Sequence, residues 1–439
     1  MAENDGGGNF LDAKVYNKRV LILGFGKEGK STLGFLNKTR AYAVCDVADA
    51  AREKPCELNS GGHKYICGPD YLSASDDYDI IIKSPGVPVP REAWPKRAEL
   101  TSQTELFLRR FGANCIGITG TKGKSTVSKL IFHTLARKGA DVLLAGNIGV
   151  PVFDIADGVK EKTIVVLELS CHQLEFCRYS PSRAVLLNIF ADHLDRYKTF
   201  EAYAETKANI YKNQSPNDAL YCLKSLSDSV SARSKKIAVD AQNAPFSDFS
   251  ALEGAKLRGR HNILNCAFAY EVCKDFGVTG NDFAEAVQTF EPLPHRLEYI
   301  GELNGAAFFD DSISTTAESA ISALESVDGG KIILIGGLDR GLDYAPLIRF
   351  LTDCPSVAHA IFMYASGERI FKNISAQDAA RFHYAADLRR AVRLAKKLLK
   401  PGFACVLSPA AASYGHFKDF AERGEKFREY VFGKSEPKE

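Results

Sequence analysis

Three glycines, two lysines and a Ser-Thr pair crowd into GITGTKGKST, residues 117–126. A strict phosphate loop, GxxxxGK[ST], would put its first glycine at 118, where this chain has Ile118; the glycines stand at 117, 120 and 123 instead. The physical requirements are still met. An apolar strand ends, glycines let the backbone turn its N–H groups inward, and a helix N-terminus aims its positive end at an anion. Lys124 is then placed to reach the terminal phosphates of ATP, and the Ser125 hydroxyl to bind magnesium. A bare glycine turn with Lys124 in solvent is the competing reading, and the register of glycine, lysine and serine weighs against it.

Two further strand ends offer metal ligands. Glu168 closes the apolar run IVVLEL, and ADHLD follows AVLLNI. Ligands of parallel α/β sheets gather at the carboxyl ends of strands, so Glu168 and His193 could hold Mg²⁺ beside the γ-phosphate. Hard cations favour oxygen, so an imidazole implies a specialised site. Each residue alone reads equally well as a helix cap or a hydrogen-bonded loop histidine; beside the glycine loop they form one candidate site.

The elements that must position these residues alternate short β-branched runs with helical periodicity, which predicts α/β layers with parallel sheets. RVLILGFGKEG is a strand running into a glycine turn, with a helix through KSTLGFLNK; AYAVCDVAD and YDIIIKSPGVPVP are later strands. After the glycine loop, Val127, Leu130, Ile131, Thr134 and Leu135 share one helix face. KTIVVLELS and RAVLLNIFADHLD read as buried strands, and prolines near FEPLPHRLEYI interrupt the pattern before strand–turn–helix units resume at GAAFFDDSISTTAESAISALES. Boundaries are therefore expected near 111 and 293. A length of 439 residues suggests two to four domains. The net charge of +2 points to neither nucleic acid nor a membrane surface. Eleven cysteines without a CxxC pair fit reduced thiols in a cytoplasm, and no apolar signal core or membrane-length run is seen. The first dozen residues read as a disordered tail. A soluble, cytoplasmic protein is expected.

With the motifs TGTKGKST, GNIGVP, VLELSCHQLE, NIFADHLDRYKTFEAYAETKANIY, GRHNILN, PHRLE, DDSIST, GGLDRGLDY and SPAAASYGHFKDFAERGEKF in this order, the chain resembles the Mur ligase family over nearly its whole length. It looks most like the branch that joins D-glutamate to UDP-N-acetylmuramoyl-L-alanine. The resemblance implies a three-domain α/β fold. An N-terminal Rossmann-like domain (1–110) would bind UDP, a central P-loop ATPase-like parallel-sheet domain (111–292) would bind ATP and metal, and a C-terminal Rossmann-like domain (293–439) would bring the amino acid. The implied chemistry is amide ligation: a substrate carboxylate takes the γ-phosphoryl group of ATP, and the amine of the amino acid displaces phosphate from the acyl phosphate. The implied setting is peptidoglycan precursor synthesis, and so cell-wall biogenesis, cell shape and cell division.

By motif matching, the catalytic residues would be Lys124, Glu168, His193 and Lys207. Gly120, Thr121, Lys122, Gly123, Lys124, Ser125, Thr126, Asn265, Arg296 and Asp311 would contact ATP, which would lie between the central and C-terminal domains; closure of the last domain on its ligands is expected. Ser125, Glu168, His193 and a carbamylated Lys207 would serve two Mg²⁺ ions. The UDP-substrate would meet Gly26, Lys27, Glu28, Asp46, Ser84, Gly86, Asn147, Ser170 and Gln173, and the D-glutamate Thr315, Arg340, Ser413 and Phe420. TTAE (315–318) also reads as a capping box with Thr315 as N-cap and Glu318 reaching back. A monomer acting on small molecules is implied, without nucleic acid or membrane. The chain departs from relatives at Lys122 (often asparagine), Ile313 (lysine in some) and Arg340 (lysine in some), so details of amino-acid affinity do not carry over. GFGKEG with Asp46 about 20 residues on also fits a dinucleotide-binding dehydrogenase, which leaves the phosphate loop unexplained. Two rival readings are a Mur-type or folylpolyglutamate-type ligase using another amino acid or acceptor, and a non-catalytic ATP-binding protein.

Overall fold

The computed structural model describes residues 10–38, 40–51, 62–68, 71–90, 93–190, 194–245, 255, 257, 261–374 and 380–433. Most of the expected N-terminal tail, and His193 with it, lies outside the described residues. The chain forms two compact units, residues 1–247 with 264–286, and residues 248–263 with 287–439.

The first unit contains two sheets. In one, β1 (Arg19–Leu23), β2 (Val44–Asp49), β3 (Tyr65–Cys67), β4 (Ile80–Lys83) and β5 (Glu99–Thr101) pair in the order β3-β2-β1-β4-β5, all parallel. Val20, Leu21, Ile22, Ile80, Ile81 and Ile82 are all buried; strands covered on both faces read as continuous apolar runs. The strand order reverses between β1 and β4, so the turns GFGKEG and KSPGVP meet at the switch point where open sheets bind ligands.

The second sheet orders β6 (Cys115–Thr119), β7 (Val142–Gly146), β8 (Ile164–Glu168), β9 (Arg183–Leu186), β10 (Ala219–Leu223) and β11 (Lys235–Val239) as β11-β10-β9-β6-β8-β7, again all parallel. Central β6 thus sits between β8 and β9, and the three carboxyl ends carry the glycine loop, Glu168 and Asn188. The helix Lys124–Arg137 buries Val127, Leu130, Ile131, Thr134 and Leu135 on its inner face, as its periodicity predicts.

In the second unit β12 (Glu298–Leu303), β13 (Ala306–Asp310), β14 (Gly330–Ile335), β15 (Val357–Met363), β16 (Phe382–Ala385) and β17 (Phe403–Leu407) order as β12-β13-β17-β14-β15-β16. Here β12 runs antiparallel to β13. The strand–turn–helix reading of this stretch missed that hairpin; its signal is Asn304-Gly305, both at positive φ, the usual pair for a tight hairpin turn. The helix cap is also corrected. The helix Ala317–Glu325 starts one residue later than expected, with Thr316 as N-cap accepting from Ser319 N–H; Thr315 is not the cap, and Glu318 does not close a box on it.

Candidate active site

The glycine loop closes on β9. Gly120 and Gly123 adopt φ +156 and +88, a region open chiefly to glycine. A Cβ on Gly120 would lie 2.9 Å from Leu187 Cβ, and one on Gly123 2.6 Å from Asn265 Oδ1. The loop is therefore stripped of side chains where it passes β9, and Asn265 stands against it. Sequence reasoning gave Asn188 no role, yet it organises the loop. Its carbonyl accepts Thr121 N–H (3.0 Å), its Oδ1 accepts Lys122 N–H (2.8 Å), and its Nδ2 donates to Lys122 O (3.0 Å). An asparagine closing the apolar run AVLL was the available signal. With the amides of 121 and 122 engaged there, the anion-facing donors are the first-turn amides of the helix Lys124–Arg137, which have no intrahelical acceptor.

Two cations converge on this loop. Lys124 Nζ donates to Gly120 O at 3.0 Å and to Thr121 O at 3.1 Å, and Lys207 Nζ donates to the same Gly120 O at 3.0 Å. Lys207 is 1% exposed and lies 4.6 Å over the Tyr203 ring. It is delivered by the helix Phe200–Lys212, capped by Thr199. Tyr203 in turn pairs its hydroxyl with Thr121 Oγ1 (3.1 Å). Glu168, 1% exposed at the end of β8, accepts Asn147 Nδ2 on Oε1 at 2.6 Å. Its Oε2 has no hydrogen-bond partner among the described residues. A buried carboxylate oxygen without a donor is costly unless a cation meets it, and it suits a hard ion such as Mg²⁺. The Ser125 hydroxyl, 5% exposed, sits in the first turn of the phosphate-loop helix. The donor set therefore fits ATP with a magnesium ion. Thr126 follows in the same turn.

The turns of the first sheet lie against this centre within the same unit. Gly26 caps the helix Lys27–Leu36. Lys27 Nζ donates to Gly149 O, in the turn after Asn147, and Glu28 Oε1 accepts Gln173 Nε2 at 2.9 Å. Gln173 and Ser170 form a capping box on the short helix that follows Glu168. Burial pushes the Glu28 carboxyl up, opposed by its bond to Gln173 and by Lys83. Ser84 Oγ donates to Gly24 O (2.9 Å), and Gly86 lies in the turn beyond it. Asp46 lies inside β2 with both oxygens engaged, by Lys64 N–H (2.8 Å) and Tyr78 Oη (2.8 Å). The acid at the carboxyl end of β2 is Asp49, which accepts Phe25 N–H from the glycine turn; sequence reasoning passed it over.

In the second unit Asp311 is 5% exposed and accepts Leu297 N–H (3.1 Å) and the hydroxyls of Ser314 and Ser408. Burial pushes its carboxyl up to about 6. Arg296 is exposed on the turn that its neighbour Leu297 ties to Asp311. His295 Nδ1 meets Asp310 Oδ2 at 2.7 Å, which raises the imidazole's pKa. His295, Glu298 and Asp310 bring ligand atoms within 4.8 Å of one another, but His295 N–H and Arg428 already occupy Glu298, so the group is an ion-paired brace. Phe420, 39% exposed, opens the helix Phe420–Phe432 and accepts Ser312 Oγ on its carbonyl at 2.7 Å. Ser413 is 4% exposed, and Arg340 is exposed with its guanidinium 3.5 Å from Thr315 O. The structure therefore places Thr315 near Arg340.

Residues 118–265 match the family model for the Mur ligase middle domain, and 295–411 match that for the Mur ligase glutamate ligase domain. The UDP-N-acetylmuramoylalanine–D-glutamate ligase of Geobacter sp. (strain M21) is 32% identical over 451 residues, spanning 95% of this chain and 98% of that protein. The enzyme of the same name from Geobacillus kaustophilus is 32% identical over 440 residues, spanning 94% and 96%. Among solved structures, the MurF ligase of Thermotoga maritima in complex with ADP shares the fold, with a TM-score of 0.57, 18% identity and coverage of 96% and 95%. The chain belongs to the Mur ligase family. Its fold is the mixed α/β, parallel-sheet fold of that family.

Proposed function

We propose that the protein is an ATP-dependent ligase that adds D-glutamate to UDP-N-acetylmuramoyl-L-alanine through an acyl phosphate, in the cytoplasmic synthesis of peptidoglycan precursors. The relatives' names give the substrates, and the observation that carries the chemistry is the centre around Glu168. A buried carboxylate oxygen without a donor lies in the same unit as a glycine loop on which two lysine ammonium groups converge. Such a centre gathers negative oxygens, as phosphoryl transfer requires.

Ser125, Glu168 and Lys207, with His193, would hold two Mg²⁺ ions, which when bound screen the charge of the phosphates. Lys124 would turn from Gly120 O to the terminal phosphate. A carbamate on Lys207 would replace its ammonium with an anion; two cations sharing one carbonyl repel, whereas a carbamate beside Lys124 attracts and can ligate metal. Asn188 fixes the loop so that the first-turn amides face the phosphates. Gly26, Lys27, Glu28, Ser84, Gly86, Asn147, Ser170 and Gln173 are proposed to line the UDP-substrate, with Asp49 in the place expected of Asp46, whose two oxygens Lys64 N–H and Tyr78 already occupy. Asn265, Arg296 and Asp311 are proposed for the nucleoside, and Thr315, Arg340, Ser413 and Phe420 for D-glutamate. The proposed domains are 1–110, 111–292 and 293–439, each spanning one sheet. Participation in cell shape and division follows from the product.

The test is oxygen transfer. With ¹⁸O in the carboxylate of UDP-N-acetylmuramoyl-L-alanine, an acyl phosphate delivers one label per turnover to inorganic phosphate. Unlabelled phosphate alongside amide product would overturn the mechanism.

A further inference from the structure

Arg340 stands on the loop 336–344, which joins β14 to the helix Ala345–Asp353, and that loop is braced from two sides. On one side Arg369, from the helix Tyr364–Lys372, grips Asp339 with a two-pronged pair: Nε to Oδ2 at 2.6 Å and a terminal nitrogen to Oδ1 at 2.9 Å. The same terminal nitrogen donates to Leu342 O at 2.8 Å, and the guanidinium lies 5.0 Å over the Tyr344 ring. Asp339 Oδ1 also accepts Gly341 N–H at 2.9 Å, and Gly341 has φ +71. Arg340 is therefore flanked by two residues that a single carboxylate pins, and the loop's further end is held through Leu342. On the other side Leu338 N–H donates to Ala412 O (2.9 Å) and Tyr344 Oη to Ala410 O (3.0 Å), next to Ser413. Among the described residues, the Arg340 guanidinium makes only the long contact to Thr315 O.

We propose that Arg369 is a positioning residue for the incoming amino acid: by fixing Asp339 and Leu342 it sets the backbone that presents the Arg340 guanidinium. The inference rests on the reading of Arg340 as the contact for that substrate's carboxylate. An exposed salt bridge adds little to stability, and Arg369 is 40% exposed in its side chain, so its consequence is expected in geometry. A planar fork meets a carboxylate at two points, which a lysine ammonium does not reproduce. Arg369→Lys keeps the charge and loses the alignment.

The experiment is steady-state kinetics on Arg369→Ala, Arg369→Lys, Arg340→Ala and the Arg369→Ala/Arg340→Ala double variant of the full chain. Arg369→Ala and Arg369→Lys are each expected to raise the amino-acid KM about tenfold, with kcat and the ATP KM within about twofold, since small misplacements of a binding group weaken one substrate's alignment. In the Arg340→Ala background, the loss of Arg369 is expected to add no more than about twofold, because residues acting through one another are not additive. Additive losses, an unchanged amino-acid KM, or an equal rise in the ATP KM would each overturn the proposal. An Arg340→Ala enzyme with unchanged amino-acid KM would instead remove the reading of Arg340. If Arg369→Ala melts early, Asp339→Asn, which removes the same grip from the other side, must give the same KM rise; its failure to do so overturns the proposal.

Discussion

Replacing Glu168 with glutamine separates its two costs. Its Oε1 holds Asn147 Nδ2 at 2.6 Å, while Oε2 is buried without a donor among the described residues. Glutamine keeps the shape and can keep the Asn147 bond through its own carbonyl oxygen. What it loses is the negative charge at the orphaned position. An unsatisfied buried group costs about 1–3 kcal/mol, more when charged. Without metal, Glu168→Gln is therefore expected to be at least as stable as the wild type, with a gain of about 1 kcal/mol. For a unit of this size that is a rise in melting temperature of about 2–4 °C. Turnover should fall by about two orders of magnitude or more, the scale of losing one charge-stabilising group at a phosphoryl-transfer centre. The assay is thermal melting in EDTA and in Mg²⁺ with nucleotide, beside acceptor-dependent phosphate release. Mg²⁺ with nucleotide should stabilise the wild type by mass action and the variant much less. A variant that melts several degrees lower in EDTA would make Glu168 a structural residue, and one with near wild-type turnover would remove it from the metal site.

Lys207→Ala should nearly abolish turnover, and added acetate or bicarbonate should restore part of it; an unimpaired enzyme would refute the carbamate role. Asp311 supplies a pH dependence. Its folded pKa of about 6 lies above the usual carboxylate value, so the folded state holds a proton that the unfolded chain has released. Stability should fall as pH rises from about 4 to about 6 and level off above; Asp311→Asn should flatten that window, and an unchanged slope in urea titrations would contradict the assignment. Gly336→Ala forces a Cβ to 1.8 Å from Met363 O at φ +131, so a loss of at least about 3 kcal/mol is expected from strain and overlap, read as a lowered melting temperature. Asn188→Ala leaves the backbone bond to Thr121 but frees the amide and carbonyl of Lys122, and should raise the ATP KM about tenfold or more, without changing the KM of the UDP-substrate.

The phosphate loop was legible because its chemistry is local: strand, glycine turn and helix follow one another in sequence, and the register of Gly123, Lys124 and Ser125 survives the shifted first glycine. Glu168 was legible as an acid closing an apolar run. Asn188 stands out only as a polar residue closing an apolar run; its role, to clamp a loop some 66 residues earlier, is not specified by its neighbours. Asp46 and Asp49 are both acids in one short strand, and only the pairing of β1 with β2 separates the one spent on Tyr78 from the one at the strand's end. The hairpin β12–β13 carried its Asn-Gly signal, but prolines and glycines around it masked the alternation. Thr315 and Thr316 are adjacent candidates for one cap, and the choice falls to how the DDSIST turn is held by Asp311 and Ser314.

The most direct measurement is phosphate release from ATP by the purified full chain with Mg²⁺ and UDP-N-acetylmuramoyl-L-alanine, with amino acids supplied one at a time and products weighed by mass spectrometry. The account predicts release with D-glutamate and a product heavier by one glutamyl residue. Release with a different amino acid and none with D-glutamate, or ATP turnover that ignores both acceptors, would contradict it.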